Sequence, residues 1–153
     1  MRVWIGIALV WGLGVAAFAE TATGVVFHDK DGDGRFGKGD KLLKGIKVSN
    51  GRDIVKTDKR GSYTLEVDGE TVLFVLKPTG WRTPLSADKL PLFYYVHRPA
   101  GSEPRKYAGI APTGPLPASV DFALYPQKEP KKFRAVLFAD PQTRDHREID
   151  YVA

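Results

Sequence analysis

The chain has 153 residues, with 23 Lys and Arg against 18 Asp and Glu, and it contains no cysteine. That length suits one domain and its core but hardly two, and the missing thiols exclude disulfides and thiolate metal sites. The net charge of +5 is interleaved with acids, and the densest basic group, Lys128-Glu129-Pro130-Lys131-Lys132, sits in a proline-broken stretch; with no aromatic-basic stripe to stack bases, no nucleic-acid partner is expected.

At the N-terminus, Arg2 precedes an apolar run from Val3 to Val15 and then Ala17-Phe18-Ala19. One early charge, a short apolar core and a small-x-small end read as an export signal cleaved after Ala19, with an uncleaved anchor as the alternative. The run is shorter than the roughly 20 apolar residues a membrane span needs. Residues 1–19 are therefore assigned to the signal, no membrane span is expected after its removal, and the mature chain is placed in the periplasm or outside the cell.

A first strand is expected over 23–28, followed by Asp29-Lys30-Asp31-Gly32-Asp33-Gly34-Arg35-Phe36-Gly37-Lys38-Gly39-Asp40. Carboxylates stand at loop positions 1, 3, 5 and 12, with glycine at 6 and an apolar residue at 8, the spacing with which one short loop gathers oxygens around a calcium ion. Asp29, Asp31, Asp33 and Asp40 are the expected side-chain ligands, and Arg35 offers its backbone carbonyl. Gly34 permits the reversal, and Phe36 pins the loop to the domain behind it. Asp in place of Glu at position 12 shortens the arm that would grip the ion with two oxygens. The β-like residues before the loop indicate that it joins strands, not helices. The competing reading is a solvated acidic turn.

Further strands are expected over 46–49 and 53–57, joined by Asn50-Gly51, where both residues tolerate positive φ. Ser62 to Val67 alternates Tyr63, Leu65 and Val67 with polar residues, the pattern of a half-exposed strand. Thr71 to Leu76 is an unbroken apolar run and reads as a central strand covered on both faces. Residues 77–118 carry a proline every few positions, yet Trp81 and Leu92-Phe93-Tyr94-Tyr95-Val96-His97 are too apolar for disorder. An ordered, irregular excursion packed on the sandwich is expected, with His97 in an aromatic cluster, although a ligand role for it stays open. Residues 119–125 close the sheet. Short strands separated by frequent turns make a mainly β fold, a β-sandwich.

Several of these segments together resemble a known family. Gly24-Val25-Val26, the acidic loop, Gly45-Ile46-Lys47-Val48-Ser49-Asn50-Gly51 and Thr57-Asp58 through Gly61-Ser62-Tyr63 look like the B-type, Ig-like sandwich modules of bacterial surface proteins. Phe93-Tyr94-Tyr95, His97-Arg98-Pro99-Ala100-Gly101-Ser102, Ala111-Pro112-Thr113-Gly114-Pro115-Leu116-Pro117 and Val120-Asp121-Phe122-Ala123-Leu124 narrow the likeness. They resemble the N-terminal domain of secreted bacterial calcineurin-like metallophosphoesterases, over about residues 22–126.

Past the sandwich (20–126) and a linker (127–132), Phe133-Arg134-Ala135-Val136-Leu137-Phe138-Ala139 is a strongly apolar strand candidate that runs into Asp140-Pro141-Gln142. The resemblance implies that this strand opens an α/β catalytic domain, of which 133–153 is the start. It further implies that Asp140 and Gln142 stand where an Asp-x-His pair serves the first of two metals such as manganese, iron or zinc. Gln in place of His substitutes an amide oxygen, harder and usually weaker, for imidazole. The other motifs such an enzyme needs do not occur before Ala153, so the chain is expected to be an accessory domain plus the first strand of a phosphate-ester hydrolase, inactive by itself. Its expected partners are the rest of that catalytic domain and a phosphoester substrate. The alternative is a calcium-stabilised extracellular binding or adhesion module.

Overall fold

The computed structural model describes residues 20–135, 137 and 142–150. The expected signal, Asp140 and Pro141 lie outside the described residues. The strands are β1 (Glu20–His28), β2 (Lys41–Leu42), β3 (Lys47–Ser49), β4 (Ile54–Lys56), β5 (Ser62–Val67), β6 (Thr71–Leu76), β7 (Trp81–Arg82), β8 (Tyr94–His97) and β9 (Phe122–Pro126), followed by a short helix α1 (His146–Asp150).

They form two sheets of a β-sandwich. In the first, β1 pairs antiparallel with β5, from Glu20↔Val67 to Val25↔Ser62, and then with β2 at Phe27↔Leu42 and His28↔Lys41. It also pairs parallel with β9, from Val26↔Phe122 to His28↔Leu124, and β9 pairs antiparallel with β7. The second sheet has the order β4-β3-β6-β8, all antiparallel. Alternation puts Tyr63, Leu65 and Val67 of β5 inside, facing Val48, Leu73 and Val75 of the second sheet across one apolar core. Phe122 and Leu124 complete that core. The Tyr63 hydroxyl donates to the Val120 carbonyl at 2.6 Å, and its ring stacks on Phe122, which fixes how the closing strand enters. The buried Thr57 hydroxyl donates to the Leu43 carbonyl and accepts from the Ile46 amide, shaping the passage into β3.

Two expectations change. The turn after β3 does not use positive φ at both Asn50 and Gly51; Gly51 adopts it, at +88°, and Asn50 does not. The Asn50 side-chain oxygen instead accepts the amides of Arg52 at 3.0 Å and Asp53 at 2.6 Å, so four residues make the turn and Ser49 faces Ile54. β6 is central, as its composition suggests, but one face alone is fully covered. Leu73 and Val75 are buried, whereas Phe74 and Leu76 are half-buried and Val72 is exposed. An apolar run is therefore ambiguous about its second face.

The excursion is ordered without being regular. The amides of Leu92, Ser102 and Thr113 donate to the carbonyls of Pro84, Ile110 and Arg98, and β7 and β8 lie within it. His97 is buried, 1% exposed, and its Nε2 lies 3.5 Å from the Glu20 carboxylate, a contact between the two sheets. Beyond β9 the chain stays attached: the Gln127 amide donates to the Gly80 carbonyl, while Glu129 pairs with Lys77 and accepts the Gly80 amide at 3.1 Å. Residues 133–135 and 137 carry no strand pairing. A lone strand leaves its amides and carbonyls unsatisfied, so a strand over 133–139 forms only beside a partner. Asp145 caps α1 by accepting the amides of Arg147 and Glu148.

Candidate metal centre on the first hairpin

β1 and β2 pair up to His28↔Lys41, so residues 29–40 form the loop of an antiparallel hairpin. The acidic loop thus joins strands, as its flanks indicate. Asp29 is its anchor, 1% exposed. Its Oδ1 accepts the Gly32 amide at 2.7 Å, and its Oδ2 accepts the Gly34 amide at 2.8 Å and the Tyr125 hydroxyl at 2.7 Å. Gly34 turns the chain at φ +75°, a conformation a side chain would strain. Asp40 closes the far end: its Oδ1 accepts the Lys30 amide at 3.0 Å and its Oδ2 the Gly37 amide at 2.8 Å. Phe36 packs edge-on against the buried Phe27 with ring centres 5.5 Å apart, as position 8 of the loop predicts.

The loop draws three of its carboxylates together. One oxygen each from Asp29, Asp31 and Asp40 lies within 4.8 Å of the others. Oxygens bound to calcium at about 2.4 Å are separated by at most about 4.8 Å, so this donor set fits one cation. All three donors are hard carboxylate oxygens, which suit calcium or magnesium better than a soft metal. Asp33 is not in this cluster; its Oδ1 accepts the Arg35 amide at 2.7 Å, so the expected fourth carboxylate holds the loop's own bend. Arg35 is exposed and meets Asp33 through that amide.

Electrostatics favour an ionised anchor. Burial pushes the Asp29 carboxyl upward, but the hydrogen bonds from Tyr125, Gly34 and Gly32 outweigh it and hold the group below its ordinary value. Tyr125 moves the other way. Burial first, then its bond to Asp29 and the Asp29 charge, push its hydroxyl up to about 12, against the opposing pull of Arg82. The Arg82 guanidinium lies over the Tyr125 ring, 4.7 Å from its centre. Neither Tyr125 nor Arg82 was legible as part of this centre, because Tyr125 lies 96 residues from Asp29 and only the parallel β1–β9 pairing brings them together. His28 packs edge-on against Trp81, 5.5 Å away, and is a strand-end neighbour of the loop. Gln142 is exposed ahead of α1.

Fold and centre together define an all-β sandwich module whose first hairpin carries a cation-competent acidic loop. The family described as the N terminal of calcineurin-like phosphoesterase matches residues 30–109, more than half of the chain, and the chain belongs to that family. The match starts inside the acidic loop and runs through β8. No curated protein matches the chain. A metallophosphoesterase family implies divalent metals, and the Asp29, Asp31 and Asp40 carboxylates are a donor set able to hold one.

Proposed function

We propose that this chain is the front of an exported two-metal phosphoesterase. Its sandwich, residues 20–126, carries and orients a catalytic domain that opens at Phe133. The observation that carries this reading is the family match over 30–109 in the same chain as the apolar Phe133–Ala139 segment and Asp140-Pro141-Gln142. The competing reading, a calcium-stabilised binding module, leaves that segment without a role. Calcium is the proposed ion of the hairpin loop, where it stiffens the fold at the calcium levels of an extracytoplasmic compartment.

In such a catalytic domain a bound metal pair would supply polarisation of a phosphoryl group and an activated water. Asp140 would supply a carboxylate oxygen to the first metal and Gln142 an amide oxygen. Two such ligands do not hold a metal pair, so the chain itself is expected to be inert. Purified protein with manganese, zinc or iron should leave aryl phosphate mono- and diesters intact, and the coding sequence beyond residue 153 should carry Gly-Asp, Gly-Asn-His and Gly-His-x-His motifs. Turnover that disappears in Asp140→Ala, or a verified stop with no such motif nearby, would sink the reading.

A further inference from the structure

Alternation along β6 turns Leu73 and Val75 into the core and Phe74 and Leu76 to the other face of the second sheet. There, Phe74 and Leu76 join Leu85, Pro91 and Phe93 in lining an apolar groove of about 620 Å³, a volume typical of small-molecule sites. Arg82 and Thr83 line it as well, and Gln127, just past β9, closes it where the chain leaves the sandwich. We propose that this groove binds a fatty acid, its alkyl chain against the apolar lining and its carboxylate on the Arg82 guanidinium.

Two polar groups of the lining have unused capacity. Thr83 is 7% exposed, and its hydroxyl makes no hydrogen bond among the described residues, so it keeps a donor and an acceptor for a ligand. Arg82 has no carboxylate partner among the described residues, where the ion pairs belong to Arg52, Lys77, His97 and Arg98. Its guanidinium lies over the Tyr125 ring, 4.7 Å from the centre. A ring face supplies no oxygen, so the fork of N–H donors stays available to an oxyanion. The other cation of the lining, Lys77, is held by Glu129.

These features fit one occupant. A single free guanidinium fork matches a planar monoanion such as a carboxylate. A phosphate monoester carries up to two charges and calls for more cations than this lining offers. The lining contains no Asp or Glu to repel the head. Asp33 borders the neighbouring cavity, which also meets Arg82 and Leu85, but it does not pair with Arg82. Leu85 is 52% exposed and Phe93 38%, and an alkyl chain laid along them would withdraw that surface from water. A short or wholly polar ligand gains nothing from it. The site uses neither the acidic loop nor the residues after 132, and so does not depend on the ion or the chemistry assigned to those.

Titration calorimetry on the purified chain tests the pairing of tail and head, with dodecanoate below its micelle concentration as the probe. Chelator is present, so that calcium neither precipitates the soap nor bridges it to the acidic loop. One dodecanoate per chain should bind, about tenfold more tightly, or better, than dodecyltrimethylammonium, which has the same tail and the opposite charge. Arg82→Gln should weaken dodecanoate by about tenfold and bring the two amphiphiles level. Should that variant lose its fold by circular dichroism, Leu85→Asp, at a half-exposed position, must produce the same loss by placing a carboxylate in the lining. No saturable binding, several dodecanoates per chain, equal affinity for the two amphiphiles in the parent chain, or unchanged affinity in the folded variant overturns the proposal.

Discussion

The Tyr125 hydroxyl donates a 2.7 Å hydrogen bond to Asp29 Oδ2. It ties the last strand of the sandwich to the first carboxylate of the acidic loop. Two amides, from Gly32 and Gly34, complete the shell around Asp29. The loop is therefore shaped by the sandwich as well as by its own spacing.

Tyr125→Phe removes that donor and leaves Asp29 Oδ2 with the Gly34 amide. The loss should cost about 1–2 kcal/mol in urea unfolding. An outer-shell donor also aims its ligand, so calcium affinity should fall by about tenfold. Unchanged affinity by calorimetry would mean that the two glycine amides suffice to aim Asp29.

Calcium should bind weakly, with a Kd on the order of 10⁻⁴–10⁻³ M. At ten times Kd, linkage adds about 1.4 kcal/mol of stability, so the melting temperature should rise in excess calcium. Asp31→Ala, at an exposed position, should abolish the rise while leaving the calcium-free protein folded. The same melting temperature in millimolar calcium and in chelator counts against the centre.

Both titrating groups of this pair shape the stability profile. The Asp29 carboxyl is held below its ordinary value, so between the two values the unfolded chain binds more protons and stability rises with pH. Its contribution is complete above about pH 4 and is lost as pH falls through the folded value. The Tyr125 hydroxyl is raised to about 12; its contribution is complete below about pH 10 and is lost as pH climbs toward 12. Denaturant titrations from acid to alkali should show Asp29→Asn flattening the first limb and Tyr125→Phe flattening part of the second. Part of the alkaline limb remains in Tyr125→Phe, because burial also raises the Tyr63 hydroxyl.

Gly24 sits where a Cβ would lie 1.9 Å from the Val120 carbonyl oxygen. Gly24→Ala must push the 118–121 strand entry away from β1, at a cost of about 1–3 kcal/mol. A melting temperature within a degree of the parent would show that this approach relaxes freely.

Local pattern reached far in this chain. Period-2 alternation gave the bounds of β5 as found, Ser62–Val67, because each side chain there faces either core or water. The unbroken run gave those of β6, Thr71–Leu76, but not its half-covered outer face, since composition does not say what lies above a strand. The two-residue strands β2 and β7 leave no mark in the sequence pattern because they are too short to carry a period and exist only through pairing with β1 and β9. The turn at Asn50-Gly51 was legible as a turn, yet its conformation depended on which amides the Asn50 oxygen reached.

By itself the sequence determined the acidic hairpin loop, its Phe36 anchor and the mainly β character, because spacing and alternation act over a few residues. Only the tertiary structure decided which carboxylates converge. Asp29, Asp31 and Asp40 share a point in space while Asp33 turns to the Arg35 amide. It also set Tyr125 against Asp29 and placed the groove of β6 at the point where the chain leaves the sandwich. The last two relationships come from parallel pairing and sheet stacking between segments about 50 to 100 residues apart, and no local pattern encodes a distance of that kind; the first depends on how the loop backbone folds under the hydrogen bonds its carboxylates accept.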